Sequence, residues 1–325
     1  MIRARLYDAD GSDREVPIEA GLGGSIKERQ LLWIDLVGRD PRDLERVAEA
    51  VGIGDELRAR LGEQIGRASL MQYPDHIHLV LMAMEADGDN ASDHAASLNA
   101  TELDLVAGHN WVVTVHEGEM TTLARVGEAA HNDTQFGALD AAGFLASIVD
   151  ETLTSYLELA EAIEREIDRL DERALRTRPG EDILASIVKL RRRIGTIRRT
   201  LTPHRLAFAA LARPEMELHD ELGQPWPALT DRLDRTIDAI ESLRDLLLGT
   251  YDIHMGRSAQ HANEIMKRLT LLSAVLLPAV VLAGIMGMNF KVGFFENTDI
   301  FWVVVGAMII FGVTLLATAR WRRWL

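Results

Sequence analysis

The chain has no cysteine in its 325 residues. That excludes disulfide bonds and thiolate metal sites and fits a reducing compartment. The first residues, MIRARLYDADG, lack the apolar stretch of a secretory signal, so the N-terminal half is expected in the cytoplasm. No Walker-A pattern is present, which leaves no support for ATP-driven pumping. No catalytic constellation stands out, and an enzyme is not expected. The basic runs Arg191-Arg192-Arg193 and Arg198-Arg199 lack interleaved aromatics, and the net charge is −15. Nucleic acid is therefore not an expected partner, and pairing with the neighbouring acidic helix is the expected role of those arginines. Proline is absent between Pro227 and Pro278, a gap that matters below.

Two long uncharged runs dominate what is present. Leu269–Met288 and Ile300–Ala319 are 20 residues each. At ~1.5 Å per residue, each helix spans ~30 Å, the hydrocarbon thickness of a bilayer. The loop between them, FKVGFFENTD, makes them a membrane hairpin. Lys267 and Arg268 precede the first run, and Arg320, Arg322 and Arg323 follow the second. Basic flanks stay inside, so both ends of the hairpin are expected in the cytoplasm. Trp321 and Trp324 fit an aromatic belt at the inner surface and Trp302 one at the outer surface. From Lys291 onward there are four basic and two acidic residues, so residues 1–290 carry −17. Such a surface attracts cations, although ordinary solubility explains the sign equally well.

Ahead of the hairpin, Ile2–Tyr7, Leu31–Leu36, Ser69–Met84 and Leu103–His116 read as β-rich runs, the last two long enough to bend or to hold a bulge. Asp40-Pro41 opens a helix to about Val51, and a second covers about 55–62. Residues 87–97 read as a mobile loop. After a short helix at 120–130, helical periodicity runs from about Ala138 to Arg176 and, beyond Pro179-Gly180, from about 181 to 211. With no proline until Pro278, one helix is expected from about 228 to 288. The overall expectation is an α+β cytoplasmic domain at 1–135, with a mixed sheet and flanking helices. A helical region with a long stalk helix follows at 136–268. Then come a membrane helix at 269–289, an outer loop at 290–299, a second membrane helix at 300–319 and a basic tail at 320–325.

A seam runs along the long helix. Backward from Gly287 in steps of three and four lie Gly284, Val280, Leu277, Ser273, Thr270, Met266 and Asn263. The small and polar members suit either tight helix contacts or a water-filled path, and spacing leaves both open. Further back, aspartates recur every seven residues at Asp231, Asp238, Asp245 and Asp252. In a symmetric oligomer they form stacked acidic rings; in a lone helix they form a solvated face. The ten histidines lack tight ligand spacing apart from His76-x-His78, and read as ordinary surface or core residues.

Asn263-x-x-Met266-Lys267-x-Leu269-Thr270, Pro278, Gly284 and Gly287-Met288-Asn289-Phe290 resemble the first membrane helix of the CorA family of divalent-cation channels. The resemblance is close in the membrane part and extends to the cytoplasmic part in layout only. It implies a homopentamer whose five copies of this helix line one pore in the inner membrane, with lipid and divalent cations as the other partners. It implies that Gly287, Met288 and Asn289 form the selectivity mouth. Met266 and Leu269 form an apolar constriction, and Asn263, Thr270, Ser273, Leu277, Val280 and Gly284 line the path. Asp238, Asp245 and Asp252 become candidate cytoplasmic cation sites. No resident cofactor is implied. Mg2+ is the default cargo or regulator, and Co2+, Ni2+ and Zn2+ are able to pass.

Three features depart from the magnesium members: a loop without Met-Pro-Glu, carrying Lys291 against Glu296 and Asp299; Val280 where threonine is common; and Met286 where an aromatic usually precedes the motif. They resemble the zinc-transporting branch, whose motif tends to vary at the residue that is an intact Met288 here. A proton-coupled zinc transporter on the same scaffold is the alternative. A non-conducting membrane-anchored sensor or scaffold is the second.

Overall fold

β-branched and aromatic residues build the strands of the first half of the chain, where they pack on a pleated surface. The computed structural model describes residues 1–8, 13–27, 29–85, 99–131, 140–176, 183–211, 226–288 and 298–322. The predicted loop at 87–97 lies outside them, as does most of the outer loop. The strands are β1 (Ile2–Asp8), β2 (Arg14–Glu15), β3 (Gln30–Val37), β4 (Ser69–Gln72), β5 (Ile77–Glu85), β6 (Asn99–Ala107) and β7 (Trp111–His116). They form one mixed sheet in the order β2-β1-β3-β7-β6-β5-β4. β3 and β7 pair in parallel, and the other pairs are antiparallel. All of β7 and most of β3 are buried, as strands covered on both faces must be.

The helices are α1 (Pro41–Val51), α2 (Asp55–Leu61), α3 (Thr121–His131), α4 (Ala141–Arg176), α5 (Ile183–Leu201), α6 (His204–Leu211), α7 (Trp226–Met286) and α8 (Thr298–Trp321). The Asp40 carboxylate accepts from the Arg42 N–H at 2.8 Å and caps α1, and Gly52 ends it at φ 78°. α1 and α2 place Leu44, Val47, Leu57 and Leu61 against Ile34, Val113 and Val115 on one face of the sheet. On the other face Phe144 of α4 meets Trp33 at 5.2 Å and Tyr7 at 6.1 Å between ring centroids. The sheet is thus sandwiched between helical layers.

The runs expected as long bent strands are strand pairs instead. Pro74 has no N–H to give a ladder, and across that turn the Tyr73 N–H donates to the His76 carbonyl at 2.9 Å. At the second turn the Gly108 N–H donates to the Trp111 carbonyl at 3.0 Å. A Cβ at Gly108 would lie 2.4 Å from Trp111 Cε2, so only glycine lets the chain fold back over that indole. The helix expected at 181–211 is likewise two, α5 and α6, separated at Thr202-Pro203. Proline cannot supply the N–H that would carry a helix through that point.

Beyond the end of β4, the backbone of β5 has no strand on its outer side among the described residues. The Tyr156 hydroxyl of α4 donates to the Met82 carbonyl at 2.5 Å, and the Met82 N–H donates to His204 Nε2 at 3.1 Å. The His204 ring completes the arrangement by donating from Nδ1 to the Leu201 carbonyl at 3.0 Å. Two helical side chains thus satisfy the Met82 backbone where no described strand does.

α7 runs unbroken for 61 residues with Pro278 inside it, within two residues of the expected limits. Its distal part and α8 are each long and apolar enough to cross a membrane. Contacts divide the chain into two compact units, residues 1–171 with 183–250, and residues 172–182 with 251–325.

Candidate functional site

In the first unit α7 buries one face. Trp226, Leu229, Leu233, Ile237, Ile240, Leu243 and Leu247 recur at threes and fours and are buried. Asp231, Asp238 and Asp245 are exposed, as is Asp252 beyond the unit boundary. Successive members stand about 10 Å apart along the helix, so one chain cannot bring them together on an ion. No group of three His, Asp or Glu side chains able to hold a metal occurs among the described residues.

In the second unit no residue of α7 is buried. From Leu269 to Met286, Leu271, Val275, Pro278, Ala279 and Met286 are less exposed than the rest. This stripe faces α8, where a Cβ at Gly312 would lie 3.7 Å from Val275 Cγ1. The seam lies on the opposite side, since Val275 and Leu277 are about 200° apart around the axis. Met266, Leu269, Leu277 and Val280 are 63%, 59%, 67% and 65% exposed. Asn263, Met266 and Thr270 line one groove of about 510 Å3, together with Glu264, Lys267 and Leu315 of α8. Leu269, Ser273 and Gly284 are exposed or nearly so on the same helix. Lys267 and Glu264 were not among the expected lining residues, although Lys267 lies four residues after Asn263 and three before Thr270, and Glu264 three before Lys267, spacings that signal a shared wall.

At the far end α7 stops at Met286. The Gly287 N–H donates to the Ala283 carbonyl at 2.9 Å and the Met288 N–H to the Ile285 carbonyl at 3.2 Å, so the last turn tightens. Asn289, Lys291 and Glu296 lie outside the described residues. Asp299 is exposed in the first turn of α8.

His76, His78, His116 and His204 of the first unit have structural places. His76 stacks on Tyr73 at 4.8 Å, while His78 Nε2 lies 2.7 Å from the Asp104 carboxylate, so the pair does not converge on a shared ligand. Asp104 also binds Arg39 at 2.6 Å, and Glu102 accepts from the Ile65 N–H at 3.0 Å. This buried network ties the end of α2 to β6 and was not evident from spacing. His116 Nε2 lies 3.1 Å from Asp35. Burial pushes the pKa of His204 down to about 4 and that of the Tyr156 phenol up.

Comparison with known proteins bears on this arrangement. Residues 28–320 match the family described as CorA-like Mg2+ transporter protein. The Cobalt/magnesium transport protein CorA of Thermotoga maritima is 26% identical over 303 residues, covering 90% of this chain and 83% of that protein. The Zinc transport protein ZntB of Enterobacter sp. is 22% identical over 262 residues, 79% of this chain and 76% of that protein. Among solved structures, the complete CorA magnesium transporter from Methanocaldococcus jannaschii superposes with a TM-score of 0.78 at 19% identity, over 99% of this chain and 98% of that one. The mixed-sheet domain, long helix and C-terminal apolar helix pair are therefore a known fold.

Proposed function

The chain belongs to the CorA-like Mg2+ transporter family, and from that premise we propose that it is a passive divalent-cation channel of the inner membrane, a ring of five copies with α7 lining the path. The family is one of transporters, not enzymes. The observation that carries this reading is the exposed stripe from Asn263 to Gly284: Ser273 to Gly284 lie on the side of α7 away from α8, and Asn263, Met266 and Thr270 continue it in the groove that Leu315 of α8 borders. Lipid does not call for Asn, Thr and Ser on one stripe, whereas a wet path between copies does. Both termini of each copy face the cytoplasm, as the basic flanks require.

Gly287, Met288 and Asn289 supply carbonyl and amide oxygens at the outer mouth. Mg2+ gives up its inner waters reluctantly, so a neutral ring of acceptors holds it by its water shell. At the inner end Met266 and Leu269 close the path by dewetting. Asp238, Asp245 and Asp252 gather cations along the axis, and a bound divalent ion relieves their mutual repulsion and favours the closed ring. The proposed path has no cysteine or histidine from Asn263 to Asn289. Hard oxygen donors favour Mg2+, and ions held through water are poorly discriminated, so Co2+, Ni2+ and hydrated Zn2+ pass as well.

The departures at Val280, Met286 and Lys291 support a second reading, a proton-coupled zinc transporter on this scaffold. Proteoliposomes loaded with Mg2+- and Zn2+-sensitive dyes separate the two. Entry of both ions down their gradients is expected. Zn2+ entry without Mg2+ entry, driven by an imposed pH gradient, selects the zinc transporter, and no flux of any ion leaves the non-conducting scaffold. A mass measurement in detergent that gives a monomer or dimer removes the ring.

A further inference from the structure

The arginines of α5 do not pair with α4 as expected. Among the described residues only Arg193 does, with Glu166. The others border a groove of about 640 Å3 between α5 and α7. Its rim carries Arg191, Arg192, Arg198 and Arg199 from α5 and Arg244 from α7, and Gly195, Ile240 and Leu247 are among the residues beneath. All five guanidinium groups are on exposed residues. The one acid in the lining, Glu241, stands 3.7 Å from Arg198. Four guanidinium groups are left without an ionic partner among the described residues. Such a concentration of one sign is at odds with a chain of net charge −15. Like charges held together are unfavourable unless something of opposite sign faces them.

The same chain carries a match. On α4, Glu164, Asp168 and Asp171 recur at four and three and so share a face. Glu164 and Asp168 are exposed and have no ionic partner among the described residues. Asp171 Oδ1 is buried without a hydrogen bond. Glu161 extends the strip and touches Arg165 at 3.7 Å. From 161 to 171 the strip is about 15 Å long, and from 191 to 199 the arginines span about 12 Å. The strip cannot reach its own groove. Glu166, which faces the chain's own α5, is two residues from both Glu164 and Asp168, about 200° around the helix.

We propose that the α5/α7 groove receives the acidic strip of α4 from a second copy of this chain, head to tail around the ring. This rests on the ring assembly proposed above. A single contact then accounts for both unpaired sets, which a small bound polyanion would not. The contact is heterologous, basic on one flank and acidic on the other, as a cyclic assembly requires. Exposed charge pairs contribute little individually, so its role is to set register between neighbours more than to hold them.

The absence of native cysteine makes the test clean. Full-length Gly195→Cys subunits are co-expressed with differently tagged Glu164→Cys subunits and treated with a short bismaleimide. Mixed-tag dimers are expected, with none from either variant alone. Adding Arg191→Glu and Arg192→Glu to the groove subunit should cut the yield about tenfold, and Glu161→Arg with Asp168→Arg on the strip subunit should restore it. Mass measurement on the same samples reads the ring independently. A ring without mixed dimers, or mixed dimers indifferent to charge reversal, overturns this proposal and leaves the ring standing. Saturable binding of inorganic triphosphate, lost on Arg191→Glu with Arg192→Glu and unaccompanied by mixed dimers, overturns it in favour of a small polyanion.

Discussion

One helix, α7, lives in two environments. From Trp226 to Thr250 one face is buried by the chain itself, and from Tyr251 to Met286 nothing is. The first stretch alternates apolar and charged positions and finds its partners within the chain. From Leu269 on, the second is apolar almost all round, with a small and polar stripe, and in the proposed ring it finds its partners outside, in lipid and in other copies. In that ring, exposure in a single chain means solvent along one half and an interface along the other.

The strongest test of this contrast lies at the end of the second stretch. Asn289→Ala, in the proposed ring of acceptors, is expected to change Mg2+ flux at least about tenfold in proteoliposomes, by abolishing or deregulating it, with an unchanged oligomer mass. Wild-type flux and ion preference would remove Asn289 from the mouth. A second test sets the halves against each other. Leu243→Ala in the buried stretch should cost about 2–5 kcal/mol and lower the melting temperature of the detergent-solubilised protein. Leu276→Ala, 51% exposed, should stay within about 1 kcal/mol, because lipid solvates leucine as well as a neighbouring helix does. Equal losses would mean that the distal half packs within its own chain.

The third test uses His204, which belongs to the buried environment. Its ring accepts from Met82 only when neutral, and burial holds its pKa near about 4. An unfolded imidazole titrates near ~6.5. The folded state therefore binds fewer protons between those values, and its stability falls as pH drops through that window. The loss reaches roughly 3 kcal/mol at the acid end. His204→Gln keeps an acceptor without the titration, so its melting temperature should depend less on pH there; identical slopes would exclude the ring as the cause. The smallest effect is expected where the environments meet. Asp245→Asn with Asp252→Asn should weaken Mg2+-dependent protection from proteolysis a few-fold, by about 1 kcal/mol. Unchanged protection would return both aspartates to plain solvent.

Much of this was legible in the chain. The limits of α7 were readable because proline is the strongest local stop and none occurs between Pro227 and Pro278. α1 was readable from its aspartate-proline start. Where reading failed, a breaker was underweighted: Pro74 and Gly108 inside apparent long strands, Pro203 inside an apparent long helix. The Arg39–Asp104–His78 network was invisible because its members meet through sheet register, which periodicity does not encode. For the path, spacing could mark the stripe from Asn263 to Gly284 but could not say which side α8 would take. That depended on small residues of α8 such as Gly312, whose partner Val275 carries no distinguishing signal of its own.

The capped edge of β5 has a consequence for how the protein fails. A strand with free N–H and C=O groups recruits strands from other molecules, and most proteins blunt such edges with charge, proline or a bulge. Here the plug is made of Tyr156 and His204, which belong to helices and leave when those helices loosen. Acid that charges the imidazole withdraws the acceptor from Met82 and uncovers the edge in the same event. Loss of the helical layer and exposure of the β5 edge are thereby coupled, and the expected acid failure of this protein is intermolecular pairing through β5.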